Sequence, residues 1–295
     1  MDIVLRDRKA ILLFVGPALL VYTVVLLGPI LWSLGYTFYE GSAITGFRYV
    51  GLDNFERLVD DPAFWQSFRF TVKYGIAVTL LQVGAGLLLA LMYVFYLRRS
   101  SALVRTLVFF PVVIPTVAIA QMFAKLFAIA PQHGLVNSLL GAVHVDRWIQ
   151  DWIGRGDSAF QVLVLMDVWR SMGFYAVLLF AGLIDIPDEI LESARLDGAS
   201  GLRLVRYIVF PLLGPVLFSS LIFSINGTLK VFDSVLALTA GGPGQETTPL
   251  TLYMFNNAFT FGEYGYASAI ATALSIMCLL ITLVIFGFAR RDVTT

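Results

Sequence analysis

Long stretches without a charged residue constrain the fold of this chain more than any other feature. A helix that spans a bilayer needs roughly 20 mostly apolar residues, because the hydrocarbon layer is about 30 Å thick. A segment at about 158–184 has this length and is interrupted only by Asp167 and Arg170, which share one helix face and can neutralise each other. The sequence therefore predicts an all-α membrane protein with six transmembrane helices. The five other apolar segments, which contain no charged residue, are 10–39, 74–97, 106–124, 207–229 and 264–289.

The composition supports a membrane location. Hydrophobic residues make up 58% of the 295 residues and charged residues 14%, whereas about a quarter of an ordinary soluble domain is charged. The high hydrophobic content excludes a disordered protein, and 20 basic residues balanced by 20 acidic residues do not give the basic surface of a nucleic-acid binder. The single cysteine, Cys278, and the two histidines, His133 and His144, offer little for a metal site. We therefore expect a chain surrounded by membrane lipid, with neither a metal nor a nucleic-acid partner.

Positively charged residues predict the direction in which the helices cross the membrane. Cytoplasmic loops carry an excess of Lys and Arg, and six spans place both termini on one side. That side holds eleven such residues, whereas the longer loops of the opposite side hold six, so both termini are expected in the cytoplasm. The eleven are Arg6, Arg8, Lys9, Arg98, Arg99, Arg105, Arg195, Arg203, Arg206, Arg290 and Arg291, and the six are Arg48, Arg57, Arg69, Lys73, Arg147 and Arg155.

A charged cytoplasmic segment, 185–206, has the pattern of a short helix. It contains eight charged residues and cannot enter lipid. Pro187 suits the first helical turn, and Gly198 supplies a left-handed stop, so we expect a helix over about 186–199. At 100° per residue Ile190, Ala194 and Gly198 share one face, which predicts a small-residue side for docking and a charged side opposite.

The order of residues in this segment resembles a known motif. Glu192-Ser193-Ala194-Arg195-Leu196-Asp197-Gly198-Ala199, followed by Ile208-Val209-Phe210-Pro211, resembles the E-A-A-x-x-x-G…I-x-L-P loop of permease subunits in binding-protein-dependent ABC importers. Ser193 and Phe210 depart from that pattern by small changes. Flanking sequences, among them Leu238-Thr239-Ala240-Gly241-Gly242-Pro243, are similar to sugar-uptake permeases and most of all to the maltose-type first subunit. The resemblance covers roughly residues 68–290.

The resemblance implies a type I importer permease fold and a set of partners. It implies a first helix and external loop at 1–67, a five-helix core at 68–290 and a cytoplasmic tail at 291–295. The expected partners are a second permease subunit, two ATPase subunits that carry the ATP and Mg²⁺, and an extracytoplasmic binding protein, in a bacterial or archaeal plasma membrane. This chain would hold no cofactor. The residues that the resemblance assigns to ATPase coupling are Glu192, Ser193, Ala194, Asp197, Gly198, Ala199 and Pro211.

Two enzyme hypotheses fail on the sequence. Gly198-Ala199-Ser200-Gly201 spells the G-x-S-G motif of intramembrane serine proteases, but Ser200 lies in a charged cytoplasmic segment, and both histidines lie in an external loop. No Gly-Lys pair occurs, so the chain lacks the phosphate-binding loop of an ATPase. We therefore expect a non-catalytic membrane subunit.

Polar residues near the outer ends of the later spans are candidates for the substrate path. Asn226, Lys230, Asp233, Tyr253 and Asn257 could meet a sugar, although bridging between helices explains Asn226 and Lys230 as well, and external loop contacts explain Tyr253 and Asn257. Lys230 and Asp233 are spaced to pair with each other. A carbohydrate cargo is expected, with glycerol-3-phosphate or another polyol as an alternative. An ion-coupled secondary transporter is a more distant alternative, because no internal repeat is visible.

Two prolines interrupt the third apolar stretch. Pro111 and Pro115 lie near the middle of 106–124. Because proline lacks an N–H group and its ring clashes with the preceding turn, we expect a kink in this span.

Overall fold

The computed structural model describes residues 8–42, 44–97, 100–129 and 131–292. Arg6, Arg98 and Arg99, which enter the orientation argument, lie outside the described residues, as do residues 293–295 of the expected tail. The first half of the chain forms α1 (Arg8–Tyr22, a π-helical turn at Thr23–Leu27, and Gly28–Tyr36), β1 (Tyr39–Ser42), β2 (Gly46–Tyr49), α2 (Asp53–Asp60), α3 (Pro62–Phe95), α4 (Ser101–Val113), α5 (Thr116–Leu126) and α6 (Leu135–Ala142). The second half forms α7 (Gly156–Ile184), α8 (Asp188–Leu196), α9 (Leu202–Leu204, a π-helical turn at Val205–Val209, and Phe210–Thr228), α10 (Asp233–Leu238), α11 (Leu250–Phe255, then a π-helical turn at Asn256–Thr260) and α12 (Tyr264–Asp292).

Five of these helices are long and apolar enough to cross a membrane: Leu12–Tyr36, Pro62–Phe95, Gly156–Ile184, Leu202–Thr228 and Tyr264–Gly287. They correspond to five of the six predicted spans. The sixth, predicted at 106–124, is a pair of shorter helices, α4 and α5, that meet at an angle of 96°. The described residues therefore contain five unbroken spans, and the count of six holds when the bent pair is taken as one span.

The break between α4 and α5 lies at Pro115. Proline disfavours a helical conformation in the residue before it, and Ile114 is extended, with ψ of 136°. The expected kink is therefore confirmed, and it is sharper than a kink within one helix. Pro111, in contrast, lies inside α4.

The chain divides into two compact units. The first comprises the residues up to Phe64 together with Tyr253–Leu274, and the second comprises Trp65–Leu252 together with the residues from Ser275 onward. The division into 1–67, 68–290 and 291–295 that the resemblance implies concerns family boundaries and stays a prediction.

The first unit contains a small antiparallel hairpin that the sequence analysis did not predict. Tyr39 of β1 faces Tyr49 of β2 in the register, and their rings meet edge to face. The buried Asn54 amide of α2 donates to the carbonyl oxygens of Thr37 and Tyr39, both at 2.9 Å. These bonds fix the hairpin to α2.

The second unit is built around α3, α7 and α9. Helix α7 packs against α4, α5, α9 and α10. Hydroxyl and amide groups join α3 to α9 in the interior: Gln82 Nε2 donates to Ser224 Oγ at 2.6 Å, and Ser224 Oγ donates to Thr79 Oγ1 at 2.9 Å. Such interhelical bonds replace the hydrophobic driving force that is missing in lipid, and they fix the helices that line the cavity described below.

Candidate functional site

Helix α8 is shorter than predicted at both ends, but the left-handed turn predicted at Gly198 is present. It runs from Asp188 to Leu196 rather than over 186–199, because Pro187 precedes it with an extended ψ of 134°. At its end Gly198 has φ of +85°. The N–H of Gly198 donates to the carbonyl of Arg195, and the N–H of Ala199 donates to the carbonyl of Ala194. This is the Schellman arrangement, which glycine adopts without steric cost, so the left-handed stop is confirmed.

The buried side of α8 differs from the predicted face. Leu191 and Ala194 are buried, whereas Ile190 is 40% exposed, and a Cβ on Gly198 would meet no atom within 4 Å. Leu191 and Ala194 belong to an apolar cluster with Leu204 of α9. The predicted face is therefore confirmed for Ala194 and wrong for Ile190 and Gly198, because Leu191 packs beside Ala194 in this cluster.

The opposite side of α8 is exposed and carries both polar and apolar groups. Glu192, Ser193 and Asp197 are exposed. Leu196 is 89% exposed and Leu202, at the start of α9, is 87% exposed. Large apolar side chains that protrude beside charges are typical of a surface that another protein covers.

Pro211 lies within the fifth span and not at its start. The span extends from Leu202 to Thr228, and Pro211 follows a π-helical turn at Val205–Val209. A π-helical turn shifts the hydrogen-bonding pattern by one residue, which accommodates a residue without an N–H group. Pro211 therefore lies inside the span, two residues after the end of this turn.

A polar cavity of about 240 Å³ lies within the second unit. Its walls come from α3, α7 and α9, from the start of α5 and from the turn between α9 and α10. Hydroxyl, amide and charged groups dominate the lining. The polar or charged lining residues are Gln82, Thr116, Asp167, Arg170, Ser171, Tyr175, Ser224, Thr228, Lys230, Asp233 and Ser234.

One acid of the cavity wall is fully engaged. Asp167 is buried and forms the predicted ion pair with Arg170, with Nε and Oδ1 3.3 Å apart. The hydroxyl groups of Tyr74 and Ser234 also donate to its carboxylate. Because a buried carboxylate is costly unless it is paired and hydrogen-bonded, these contacts stabilise the charge of Asp167, and the neutralisation by Arg170 that the sequence predicts is confirmed.

Lys230 and Asp233 both line the cavity and are both exposed. Among the described residues no ion pair joins them, so the expected pairing is absent from the structure. The reason is that α9 ends at Thr228 and α10 begins at Asp233, so the two residues do not share a helix face. One cation and one anion are thus presented separately to the cavity.

Asn226 turns away from the cavity. Its amide donates to Thr282 Oγ1 of α12 at 2.9 Å and to the carbonyl of Ile222 at 3.0 Å, and Asn226 does not belong to the cavity lining. The sequence analysis placed it among substrate-path candidates, but the structure favours the alternative of a bridge between helices.

Tyr253 and Asn257 belong to the first unit, where they take part in hydrogen bonds around Asp61. The hydroxyl groups of Tyr253 and Tyr266 both donate to Asp61, and Asn257 donates to the carbonyl of Tyr253 at 2.8 Å. Burial raises the pKa of Asp61, but the hydrogen bonds from both tyrosines and from backbone N–H groups outweigh it, so the pKa lies below its usual value. Burial and the bond to Asp61 raise the pKa of Tyr253 to about 12. Both candidates therefore have structural roles.

The structure adds site residues that sequence reasoning missed. Thr116, Ser171 and Tyr175 line the cavity, and Asp61 accepts hydrogen bonds from Tyr253 and Tyr266. Thr116 directly follows the proline break, which is the one signal in the sequence that could have pointed to a wall there. Nothing local marks the others, because their neighbours are distant along the chain.

A family model described as the binding-protein-dependent transport system inner membrane component matches residues 82–291. The chain belongs to that family. The matched range contains α8 and most of the cavity lining, and it identifies the protein as a multi-pass membrane permease of an ABC importer. The permease assignment made from the motif at Glu192–Ala199 is confirmed.

Individual relatives of this permease align over nearly its full length. It is 34% identical over 280 residues to the probable ABC transporter permease YurN of Bacillus subtilis, covering 94% of this chain and 95% of the relative. It is 33% identical over 290 residues to the trehalose/maltose transport system permease MalF of Thermococcus litoralis, covering 97% and 96%.

A solved structure confirms the predicted fold. A chain of a bacterial ABC transporter involved in the import of the acidic polysaccharide alginate matches with a TM-score of 0.84 and 22% identity, over 97% of this chain and 98% of that chain. At this identity the likeness concerns the fold alone.

Proposed function

We propose that this permease is the maltose-type first membrane subunit of an ATP-driven importer and that a sugar or short oligosaccharide crosses it through the cavity beside Lys230 and Asp233. The observation that carries the proposal is the polar cavity in the second unit of a chain that belongs to the permease family. The name of the Thermococcus litoralis relative, a trehalose/maltose permease, supports the substrate class.

The chemistry of the cavity suits a neutral polyhydroxylated molecule. Sugar hydroxyl groups both donate and accept hydrogen bonds, so they need acceptors as well as donors in the wall. Lys230 donates, Asp233 accepts, and the hydroxyl groups of Thr116 and Ser171 do both. The lysine and aspartate charges cancel, which leaves the wall without a net preference for a charged cargo.

Glycerol-3-phosphate fits this wall less well. A phosphate calls for cationic groups that are not already neutralised. Arg170 is paired with Asp167. Lys230 is not paired with Asp233, but the carboxylate of Asp233 lines the same cavity and would repel a phosphate. The sugar is therefore preferred, with an uncharged polyol as the alternative of the same class.

Helix α8 is proposed to dock the ATPase subunits. Its exposed side combines Glu192 and Asp197 with Leu196. Its other side is anchored by Leu191 and Ala194. A helix that is packed against the second unit and bound by an ATPase subunit can transmit motion from one to the other. ATP binding would then favour one of two conformations of the cavity.

The remaining parts of the assembly follow from this role. ATP hydrolysis would take place on two ATPase subunits with Mg²⁺, so this chain would be non-catalytic. A second permease subunit would complete the pathway, and an extracytoplasmic binding protein would deliver the sugar. Both termini and α8 would then face the cytoplasm, in agreement with the excess of Lys and Arg there.

Uptake into liposomes tests the proposal. The permease is reconstituted with its second permease, its ATPase and its binding protein, and labelled trehalose, maltose and glycerol-3-phosphate are offered. We expect ATP-dependent uptake of a sugar, and Lys230→Gln or Asp233→Asn should raise the half-saturating concentration about tenfold, since a bond to a charged group is lost. Lys125→Gln, at the end of α5 and outside the cavity lining, is the matched control.

Two results would contradict the proposal. Uptake without nucleotide would exclude an ATP-driven importer, and preferential uptake of glycerol-3-phosphate would exclude the sugar assignment. The docking role is tested separately with Glu192→Lys, which should reduce co-purification of the ATPase. Undiminished co-purification would count against this role.

A further inference from the structure

A second polar cavity lies in the second unit, at the end opposite to α8. Helices α3 and α7 run in parallel, because Phe70 lies against Phe160 near their starts, and Tyr93 lies against Phe180 towards their ends. The ends of both helices lead towards α8. Their starts therefore lie at the other membrane surface, which is the outer one if the proposed function and its orientation hold.

This cavity of about 320 Å³ is lined by charges of both signs. Arg69 and Lys73 are one turn apart on α3, Asp157 lies in the first turn of α7, and Glu246 lies in the loop after α10. A volume of roughly 300 Å³ is at the lower end of the range of small-molecule sites. We call these four residues the outer charge cluster.

The two cations of the cluster have contacts of their own, and none of the four charges is paired with another. Lys73 Nζ lies 4.3 Å from the centre of the Phe160 ring, and Arg69 Nε donates to the carbonyl of Trp65 at 3.2 Å. Within the described part of the chain, no ion pair joins a member of the outer charge cluster to another member. The cavity is therefore lined by two cations and two anions that are not paired with one another.

Gly156 makes the approach of Glu246 possible. A Cβ at position 156 would overlap the carboxylate of Glu246. Glycine thus lets this acid reach the start of α7, beside Asp157, and the two acids face the cavity together.

The depth of the outer charge cluster in the membrane indicates that a ligand would come from the lipid. Lys73 directly precedes the charge-free stretch 74–97 of α3, and Asp157 directly precedes the apolar stretch of α7. Both therefore lie where hydrocarbon gives way to lipid headgroups. Trp65, one turn before Arg69, is 42% exposed, and tryptophan is enriched at this level of membranes.

We infer that the outer charge cluster binds the headgroup of a phospholipid with a primary amine, as in phosphatidylethanolamine. Arg69 and Lys73 would donate to the phosphate, and Asp157 and Glu246 would accept from the ammonium group. A choline headgroup has no N–H to donate, and a glycerol headgroup has no cation. Neither therefore satisfies both the basic and the acidic residues of the outer charge cluster.

Native mass spectrometry of the full-length permease in detergent tests this inference. The protein is titrated with dioleoyl-phosphatidylethanolamine, dioleoyl-phosphatidylcholine and dioleoyl-phosphatidylglycerol. We expect the ethanolamine lipid to bind at least about tenfold more tightly than the other two. Lys73→Gln should weaken the binding of all three lipids, whereas Glu246→Gln should abolish the preference for ethanolamine over glycerol. Lys125→Gln is the matched control and should change neither.

The outcomes separate this inference from the proposed function. Equal binding of the three lipids, or unchanged binding to Lys73→Gln, would overturn the inference and leave sugar uptake untouched. Failure of uptake with selective lipid binding would overturn only the transport proposal. Free phosphoethanolamine that competes as strongly as the lipid would overturn the membrane source of the ligand.

Discussion

The crossing of α3 and α7 provides a sharp test of the structure. At Gly86 of α3, an added Cβ would lie 2.7 Å from Tyr175 Cβ and 2.9 Å from the backbone nitrogen of Ala176. Carbon atoms pack favourably at about 3.5–4.0 Å, so Gly86→Ala requires the two helices to separate by about 1 Å. The same substitution at Gly84, half a turn away, would meet no atom within 4 Å.

The two variants isolate the energy of this contact. Replacing glycine by alanine in a helix gains about 1 kcal/mol at either position, so the gain cancels in the comparison. Overpacking of a close contact costs about 1–3 kcal/mol. We therefore expect Gly86→Ala to be less stable than Gly84→Ala by about 1–3 kcal/mol.

Thermal unfolding of the purified permease, followed by fluorescence-detected size-exclusion chromatography, measures the difference. A change of 1 kcal/mol shifts the melting temperature by about 2–4 °C in a protein of roughly this size. Because Tyr175 also lines the cavity, uptake should fall in Gly86→Ala and persist in Gly84→Ala. Equal melting temperatures for the two variants would refute the close crossing.

Three further predictions concern other parts of the molecule. Gly198→Val should leave membrane insertion intact but separate ATP hydrolysis from sugar uptake, because valine is strained at φ of +85°; an unchanged ratio of uptake to hydrolysis would count against the coupling role. Asn226→Leu should lower the free energy of unfolding by about 1 kcal/mol without changing the half-saturating sugar concentration, and the loss should not add to that of Thr282→Val in the double variant. Asp61 has a pKa below its usual value of 3.8, so its stabilising contribution is present above that value and is lost as the pH falls below it. The melting temperature of Asp61→Asn should accordingly lie below that of the wild type at pH 7 and approach it below about pH 4; a constant gap would contradict this account.

The break at Pro115 and the turn at Gly198 were accessible from sequence because each depends on one residue. Proline restricts the residue before it, and glycine adopts positive φ freely, whatever surrounds them. The angle of 96° between α4 and α5 was not accessible in this way. Helix α4 packs against α7, whereas α5 packs against both α10 and α7, so the angle depends on tertiary contacts.

The roles of the polar candidates were decided by tertiary contacts. Asn226 and Thr228 are two positions apart on one helix, yet Asn226 faces α12 and Thr228 lines the cavity. Because each residue turns a helix by 100°, the side chains of Asn226 and Thr228 point in different directions. Which of these directions faces another helix cannot be predicted from the sequence of α9. Tyr253 likewise joins Asp61 from 192 residues away.

The sequence by itself determined that this chain is a membrane protein, which of its segments are apolar enough to span the bilayer, and that a left-handed turn follows α8 at Gly198. These properties follow from the length of apolar segments and from local backbone preferences, and both depend only on residues that are close together in the chain. The tertiary structure decided which polar groups meet, which of them face the cavity and which charges stay apart in the outer charge cluster. Such contacts join residues that are far apart in the chain, and their energies exist only once the helices have packed.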